Sequence, residues 1–171
     1  MNKRLTQQGF TLVELLLYVS ASAIFLLVIS LFLATLLQSR VKNQTIAEVE
    51  QQGLQVMQVI TQTARNAKAI HSPAQGTSAS SLSLDVIIAS NDPTVFDLSN
   101  GTIRITEGIG SPVSLTNARV VASGTVFQNL SRSDTPGTIR IQFTLTHVNP
   151  AGRNEYDFQK TFIGSASLRQ P

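Results

Sequence analysis

Apolar residues crowd the first quarter of this chain, and their rhythm then changes twice. From Leu15 to Ser39 no charged residue occurs. As a helix, those roughly 25 positions extend ~37 Å, more than the ~30 Å hydrocarbon layer of a bilayer. Beyond Arg40 and Lys42 the apolar positions thin out to Ile46, Val49, Val56, Met57, Ile60, Ala64 and Ala67, spaced near three and four. Gln44, Glu48, Glu50, Gln51, Gln55, Gln58 and Gln62 fill the other faces, as in an amphipathic helix. The first proline is Pro73, so the pattern predicts one helix from about Thr11 to Ile70, ~90 Å long. Gly53 lies within it, at a cost of about 1 kcal/mol against alanine, and offers a place to bend.

The helical period disappears in "HSPAQGTSASS", residues 71–81, where proline, glycine and serine predict a linker. Afterwards the alternation has a period of two. "LSLDVIIAS", "TVFDLS", "TIRIT", "ARVVAS", "TVFQNL", "TIRIQFTLTHV" and "EYDFQKTFI" are strand-like segments divided by turn-forming sequences. Asn100-Gly101 suits a two-residue type I′ turn, which pairs Ser99 with Thr102, Leu98 with Ile103, Asp97 with Arg104 and Phe96 with Ile105. That register puts the apolar pairs on one face and the charge pair on the other. Further on, Ile139, Ile141, Phe143 and Leu145 alternate with polar residues, and Tyr156, Phe158 and Phe162 can face them. The sheet's apolar face needs a cover, and Ile46 to Ile70 is the stretch with a matching stripe. The expected fold class is therefore α+β, a long N-terminal helix, half apolar and half amphipathic, packed on a C-terminal antiparallel sheet domain. The expected boundaries are 10–39 for the apolar helix, 40–71 for the amphipathic helix, 72–81 for the linker and 82–171 for the β-rich domain.

At 171 residues and 42% hydrophobic, the chain has room for one domain plus an anchor. The sequence pI of about 9.7 draws attention to nucleic acid. However, two of the thirteen bases, Lys3 and Arg4, precede residue 10, and without them eleven bases face ten acids. The remainder, from Arg65 to Arg169, are scattered and alternate with apolar neighbours, as on solvated strand faces, so no nucleic-acid partner is expected. Cysteine is absent, which excludes a disulfide framework, a thiolate nucleophile and a cysteine zinc site. No HExxH, GxSxG or phosphate-loop motif accompanies His71 and His147. Both histidines are expected at the surface or as caps, and neither an enzyme nor a cofactor is expected. Asp92, Asp97, Asp134 and Asp157 are too dispersed to predict a calcium site.

One residue contradicts the apolar pattern. Glu14 stands about one turn inside the hydrophobic stretch, where a carboxylate costs a few kcal/mol unless a partner or a function offsets it. The surrounding residues, "KRLTQQGFTLVELLLYVSASAIF", resemble the N-terminal processing and methylation motif of type IV prepilins and of type II secretion pseudopilins. The matching features are a short basic leader, Gly9 at the cleavage point, Phe10 as the new N-terminus, and Glu14 five residues into the mature chain. "VFQNLSR" and "EYDFQKTFIGSASLR" look like minor pseudopilins of the J type or minor pilins of the W type. The resemblance departs at Gln8, where a basic residue is frequent, and at the missing mid-helix proline and C-terminal disulfide of many major pilins. Those last two absences favour a minor subunit.

The resemblance implies a leader at residues 1–9, removed by a prepilin peptidase that also methylates the Phe10 amine. It further implies a single-pass inner-membrane protein with an extracytoplasmic domain, which passes into a filament built from such N-terminal helices. Its partners would be the peptidase, the inner membrane and other pilins or pseudopilins, and Glu14 would reach a neighbouring subunit's Phe10 amine. A secretory signal peptide cut at "SASA", residues 20–23, fits less well, because the apolar run continues to Leu37 and Glu14 interrupts it. A membrane-anchored binding domain that never joins a filament is the alternative. Lys3 and Arg4 on one side and Arg40 and Lys42 on the other leave the orientation open by charge alone.

Overall fold

The computed structural model describes residues 11–133 and 136–169. It contains a helix α1 (Leu12–Asn66) followed by strands β1 (Ala67–Ser72), β2 (Ser78–Ala79), β3 (Leu82–Val86), β4 (Thr94–Ser99), β5 (Thr102–Glu107), β6 (Val113–Ser114), β7 (Val120–Asn129), β8 (Thr138–His147) and β9 (Gln159–Ser167). Two short 3-10 turns, Ala89–Asn91 and Asn154–Tyr156, lie between strands. The class is α+β, as the hydrophobic pattern predicts. The chain divides after Arg40 into two units.

In the first unit the described side chains are exposed all around the helix. Leu12, Leu16, Phe25, Phe32 and Leu37 are more than half accessible. A helix apolar on every side has no buried face of its own and needs an apolar surrounding. This one is long and apolar enough to cross a membrane.

In the second unit the helix residues Thr45, Val49, Gly53, Val56, Ile60 and Ala64 are buried, spaced by three and four along one stripe. They pack with two antiparallel sheets, of strand order β1-β3-β4-β5-β6 and β2-β7-β8-β9. The stripe differs in detail from the one hydropathy picks out. Ile46 and Met57 are half-buried, while Thr45 and Gly53 occupy the centre. Thr45 fits because its hydroxyl donates to the Val41 carbonyl at 3.0 Å, leaving its methyl group to pack.

Gly53 provides a seat, not a bend. The helix continues unbroken through it, and a Cβ there would overlap the Phe162 ring. Phe162 in turn stacks on Phe143, its direct cross-strand partner, with centroids 5.4 Å apart. One turn further along, the arrangement is reversed: Gly164 on β9 leaves room for Met57, whose Sδ would lie 2.6 Å from an added Cβ. Each element thus offers a glycine to the other's bulky side chain, which brings helix and sheet close enough to exclude water.

The helix ends at Asn66, about four residues before the expected point, and Ala67 to Ser72 are strand β1. Asparagine is a weak helix former, and from Ala67 the backbone finds partners on β3, Ala67 opposite Val86 and Ile70 opposite Leu84. The helix's end is also capped from afar, since the Arg169 N–H donates to the Arg65 carbonyl at 3.0 Å. Ala67 is buried in either conformation, so periodicity alone does not separate them.

The 72–81 segment is likewise more ordered than a linker. It contains β2, paired with β7, and buried Asn129 ties it down. The Asn129 side-chain amide donates to the Pro73 carbonyl at 2.8 Å, and its backbone exchanges bonds with Gly76 and Thr77.

The β4–β5 hairpin has the expected register, including Asp97 opposite Arg104, with Asn100 at φ 50° and Gly101 at φ 73°. Its tip joins the two sheets. The Ala122 N–H donates to the Gly101 carbonyl at 2.7 Å, and an added Cβ at Gly101 would sit 2.8 Å from Val121. In β7 a bulge between Ser123 and Val126, with Gly124 at φ 58°, switches which alternate residues face inward. Val120 and Ala122 are buried before it, Thr125, Phe127 and Asn129 after it.

The paired glycines respond unequally to a methyl group. Gly53→Ala drives a Cβ into a rigid ring that already stacks on Phe143, and should cost about 2–3 kcal/mol despite alanine's better helix propensity. Gly164→Ala meets the end of a flexible methionine and should cost less than about 1 kcal/mol. Denaturant unfolding of the two variants checks this, and equal loss would mean that the Phe162 ring is not held as described.

Candidate functional site

The chemistry of the N-terminal stretch starts at Thr11. The Glu14 N–H donates to the Thr11 hydroxyl oxygen at 3.3 Å, and the Leu15 N–H to the Thr11 carbonyl at 3.1 Å. Thr11 therefore caps α1, and Thr11-x-x-Glu14 has the spacing of a capping box. The local motif gives Glu14 a role beside any intermolecular one, because a carboxylate in the first turn complements the helix dipole. Farther along, Ser20 and Thr35 donate to the carbonyls of Leu17 and Phe32 at 2.9 and 2.8 Å. Turning hydroxyls back on the helix's own backbone is what a hydrocarbon surrounding demands. Glu14 remains the one formal charge from Leu12 to Ser39, and its residue is exposed. Gly9 and Phe10, the expected processing residues, lie outside the described residues.

Fold and N-terminus together define a class, an α+β protein carrying one helix fit to cross a membrane. Compared with protein-family models, with curated proteins and with solved structures, the chain finds no match.

A second group of polar residues gathers on the second unit. The Glu48 carboxylate on α1 accepts from Asn117 Nδ2 at 3.1 Å and from Arg119 at 3.4 Å, and lies 3.8 Å from His147 Nε2. Tyr156 stacks on the His147 ring with centroids 5.6 Å apart. Glu48, Arg119, His147 and Tyr156 line an open cleft of about 440 Å³. His147 is thus not a surface residue. Its side chain is only 10% accessible, and Nδ1 is buried without a hydrogen-bond partner. The end position of His147 on β8 hides this from sequence reading, because the residues that cover it come from α1 and the 154–156 turn. His71 is exposed, as expected, 3.7 Å from Asp85.

Other charges serve the seam between α1 and the sheets. Lys42 donates to the carbonyls of Asn154 and Asp157 at 3.0 and 2.5 Å, and Lys160 pairs with Glu50 at 2.6 Å. Across the hairpin, Asp97 takes a two-pronged bond from Arg104, at 3.0 and 2.6 Å, which raises the guanidinium's pKa above its usual value. A hydrogen bond from its own backbone, followed by the bond from Arg153, lowers the Glu155 carboxyl below the usual range. Of the aspartates weighed for calcium, Asp97 is engaged with Arg104 and Asp92 accepts from the Val86 N–H at 3.1 Å, while Asp134 lies outside the described residues. Among the described residues no group of three or more metal-ligating side chains forms.

His147 therefore acts through its ring. His147→Phe keeps the stack on Tyr156 and removes the unpartnered nitrogen, so stability should change by less than about 1 kcal/mol. His147→Ala should lose about 2 kcal/mol or more to the cavity left behind. Thermal unfolding of both variants tests this, and a large loss for phenylalanine would show that the imidazole nitrogens matter.

Proposed function

We propose that this chain is a structural subunit, of the minor kind, of a type IV pilus-like or type II secretion pseudopilus filament. A prepilin peptidase cuts between Gly9 and Phe10 and methylates the new amine. The apolar half of α1 then holds the protein in the inner membrane, with the β domain on the extracytoplasmic side, until the helix joins other pilins or pseudopilins. One observation carries this reading, a single carboxylate in a helix otherwise uncharged from Leu12 to Ser39, placed five residues after Gly9.

The physical logic is charge pairing in hydrocarbon. Cleavage frees the α-amine of Phe10, a cation that methylation preserves. Within one chain it lies four residues before Glu14 in sequence. Between chains, Glu14 of one subunit and the amine of the next fix the axial register of helices that otherwise slide. The local cap at Thr11 adds support, since it holds the first turn of α1, where Glu14 stands. Within the second unit α1 packs on the sheets, and within the first its apolar side chains are exposed and suit lipid and neighbouring helices.

Processing is tested at Gly9. Gly9→Val should leave the protein full length in the membrane, and mass spectrometry should find the wild-type chain starting at a methylated Phe10. A mature chain starting at residue 24 would instead identify a secretory signal peptide. Assembly is tested at Glu14. Glu14→Ala should insert at least as well as wild type, because a costly charge is gone, and should be cleaved, yet it should fail to crosslink with neighbouring subunits. Glu14→Gln should be intermediate, having lost the charge-assisted part of the bond. Normal cleavage with no filament partner for the wild type would favour a membrane-anchored domain that stays single.

A further inference from the structure

Among the described residues the two sheets end in β1, β6, β2 and β9, and the first three of these edges are poor templates for another strand. β2 and β6 are two residues long, and β1 carries two register shifts against β3. Short or irregular edges protect a sheet against added strands. The β9 edge lacks such protection, since its nine residues pair with β8 without a shift, from Gln159 opposite Thr146 to Ser167 opposite Thr138. Which backbone groups of β9 face outward follows from the bonds at its two ends. In an antiparallel pair the N–H and C=O of one residue point the same way, and the direction alternates along the strand. The Phe158 carbonyl accepts from the His147 N–H at 2.9 Å, and the Leu168 N–H donates to the Gly137 carbonyl at 2.8 Å, so the even-numbered residues face β8. Gln159, Thr161, Ile163, Ser165 and Ser167 therefore turn their N–H and C=O to the open side. All five are exposed, and among the described residues no strand pairs with that side. The next odd-numbered residue, Arg169, already uses it, because its N–H donates to the Arg65 carbonyl at 3.0 Å.

We propose that the β9 edge takes an added strand, an extended and uncharged segment of another polypeptide held by main-chain hydrogen bonds. The edge itself defines the chemistry of its occupant. None of the five outward residues is charged or a proline, the residue types that repel a strand. Phe162 and Gly164 meet α1, so Ile163, 58% exposed, stands on the opposite face of β9. On the α1 side, Leu54 is 65% exposed. It lies four residues after Glu50 and three before Met57, on the helix flank that meets β9 at Lys160 and Gly164. An incoming strand thus sets one apolar side chain beside Ile163 and the next, on its other face, against Leu54. A second copy's β9 does not fit. Two β9 edges paired antiparallel would be related by a two-fold axis through the sheet, with both α1 helices on one face. Helices stacked over strands ~4.8 Å apart would collide, since packed helices need about 8–10 Å. The occupant is therefore a narrow strand with no helix above it. The proposal is independent of how the N-terminus is processed.

The test selects random peptides of about twelve residues, longer than a typical strand, displayed on phage, against the full chain in nonionic detergent micelles. The most enriched peptide is then made synthetically, labelled and titrated by fluorescence anisotropy. Enriched peptides should lack charge and proline across the pairing stretch and should carry two adjacent apolar residues. Ser165→Pro removes an outward N–H and leaves the bonds to β8 in place, so it should keep the unfolding midpoint and weaken the peptide by about tenfold. Ile163→Lys should weaken it similarly by placing a charge on the edge, while Arg140→Ala, on the exposed face of β8, should bind as wild type. Amide hydrogen exchange supplies a readout without variants. Thr161, Ile163 and Ser165 should exchange fast in the free chain and slowly in the complex, and Phe162 and Gly164 slowly in both. A selection that enriches no peptide would overturn the proposal, as would peptides that bind Ser165→Pro and Ile163→Lys as tightly as wild type. So would slow exchange of Thr161, Ile163 and Ser165 in the free chain. A wild-type dimer abolished by Ser165→Pro would overturn it too, by giving the edge to a second copy.

Discussion

The reciprocal fit of Phe162 over Gly53 and Met57 against Gly164 is the contact on which the domain depends. It sets how closely α1 approaches β9. That distance decides whether Val49, Val56 and Ile60 reach full burial against Phe143, Leu145 and their neighbours. With no cysteine in the chain, no covalent link shares the task, and packing supplies the stability. The ring of Phe162 transmits the fit to the sheet through its stack on Phe143. The polar rim follows from the same approach, because Glu48 and Glu50 meet Arg119 and Lys160 only when the helix sits this close.

Two kinds of polar group are handled differently along α1. In the apolar half, hydroxyls fold back onto carbonyls of the same helix, as Ser20 and Thr35 do, and Glu14 is tied by its backbone to Thr11. In the amphipathic half Thr45 and Thr61 fold back in the same way, but charged and amide side chains reach outward to strands and loops, as Lys42, Glu48 and Gln52 do. The first pattern suits a surrounding without water or partners to satisfy a donor. The second stitches a helix to a folded domain. The change from one to the other falls near Arg40, where the chain divides into its two units.

Glycine positions carry more of this fold than their number suggests. Gly53 and Gly164 admit side chains, and Gly101 both turns the β4–β5 hairpin and lets β7 approach. Gly124 forms the bulge that realigns β7. Each stands where a close approach or a left-handed backbone excludes a side chain.

Local patterns were enough to determine several features of this protein from its sequence. Charge-free length marks the apolar helix, periods of 3.6 and 2 separate helix from sheet, and Asn100-Gly101 sets a hairpin register down to Asp97 opposite Arg104. The prepilin-like reading of Gly9, Phe10 and Glu14 also comes from sequence alone. Tertiary structure decided what depends on residues far apart in the chain. Gly53 looked like a weak point in a helix until Phe162, over a hundred residues later, filled it. The helix end at Asn66 was fixed by β3 and Arg169, which supply the hydrogen bonds that helix propensity cannot see. His147 became half-buried because α1 and Tyr156 cover it. In each case the deciding free energy lies in contacts between distant segments, for which hydropathy and spacing along the chain carry no signal.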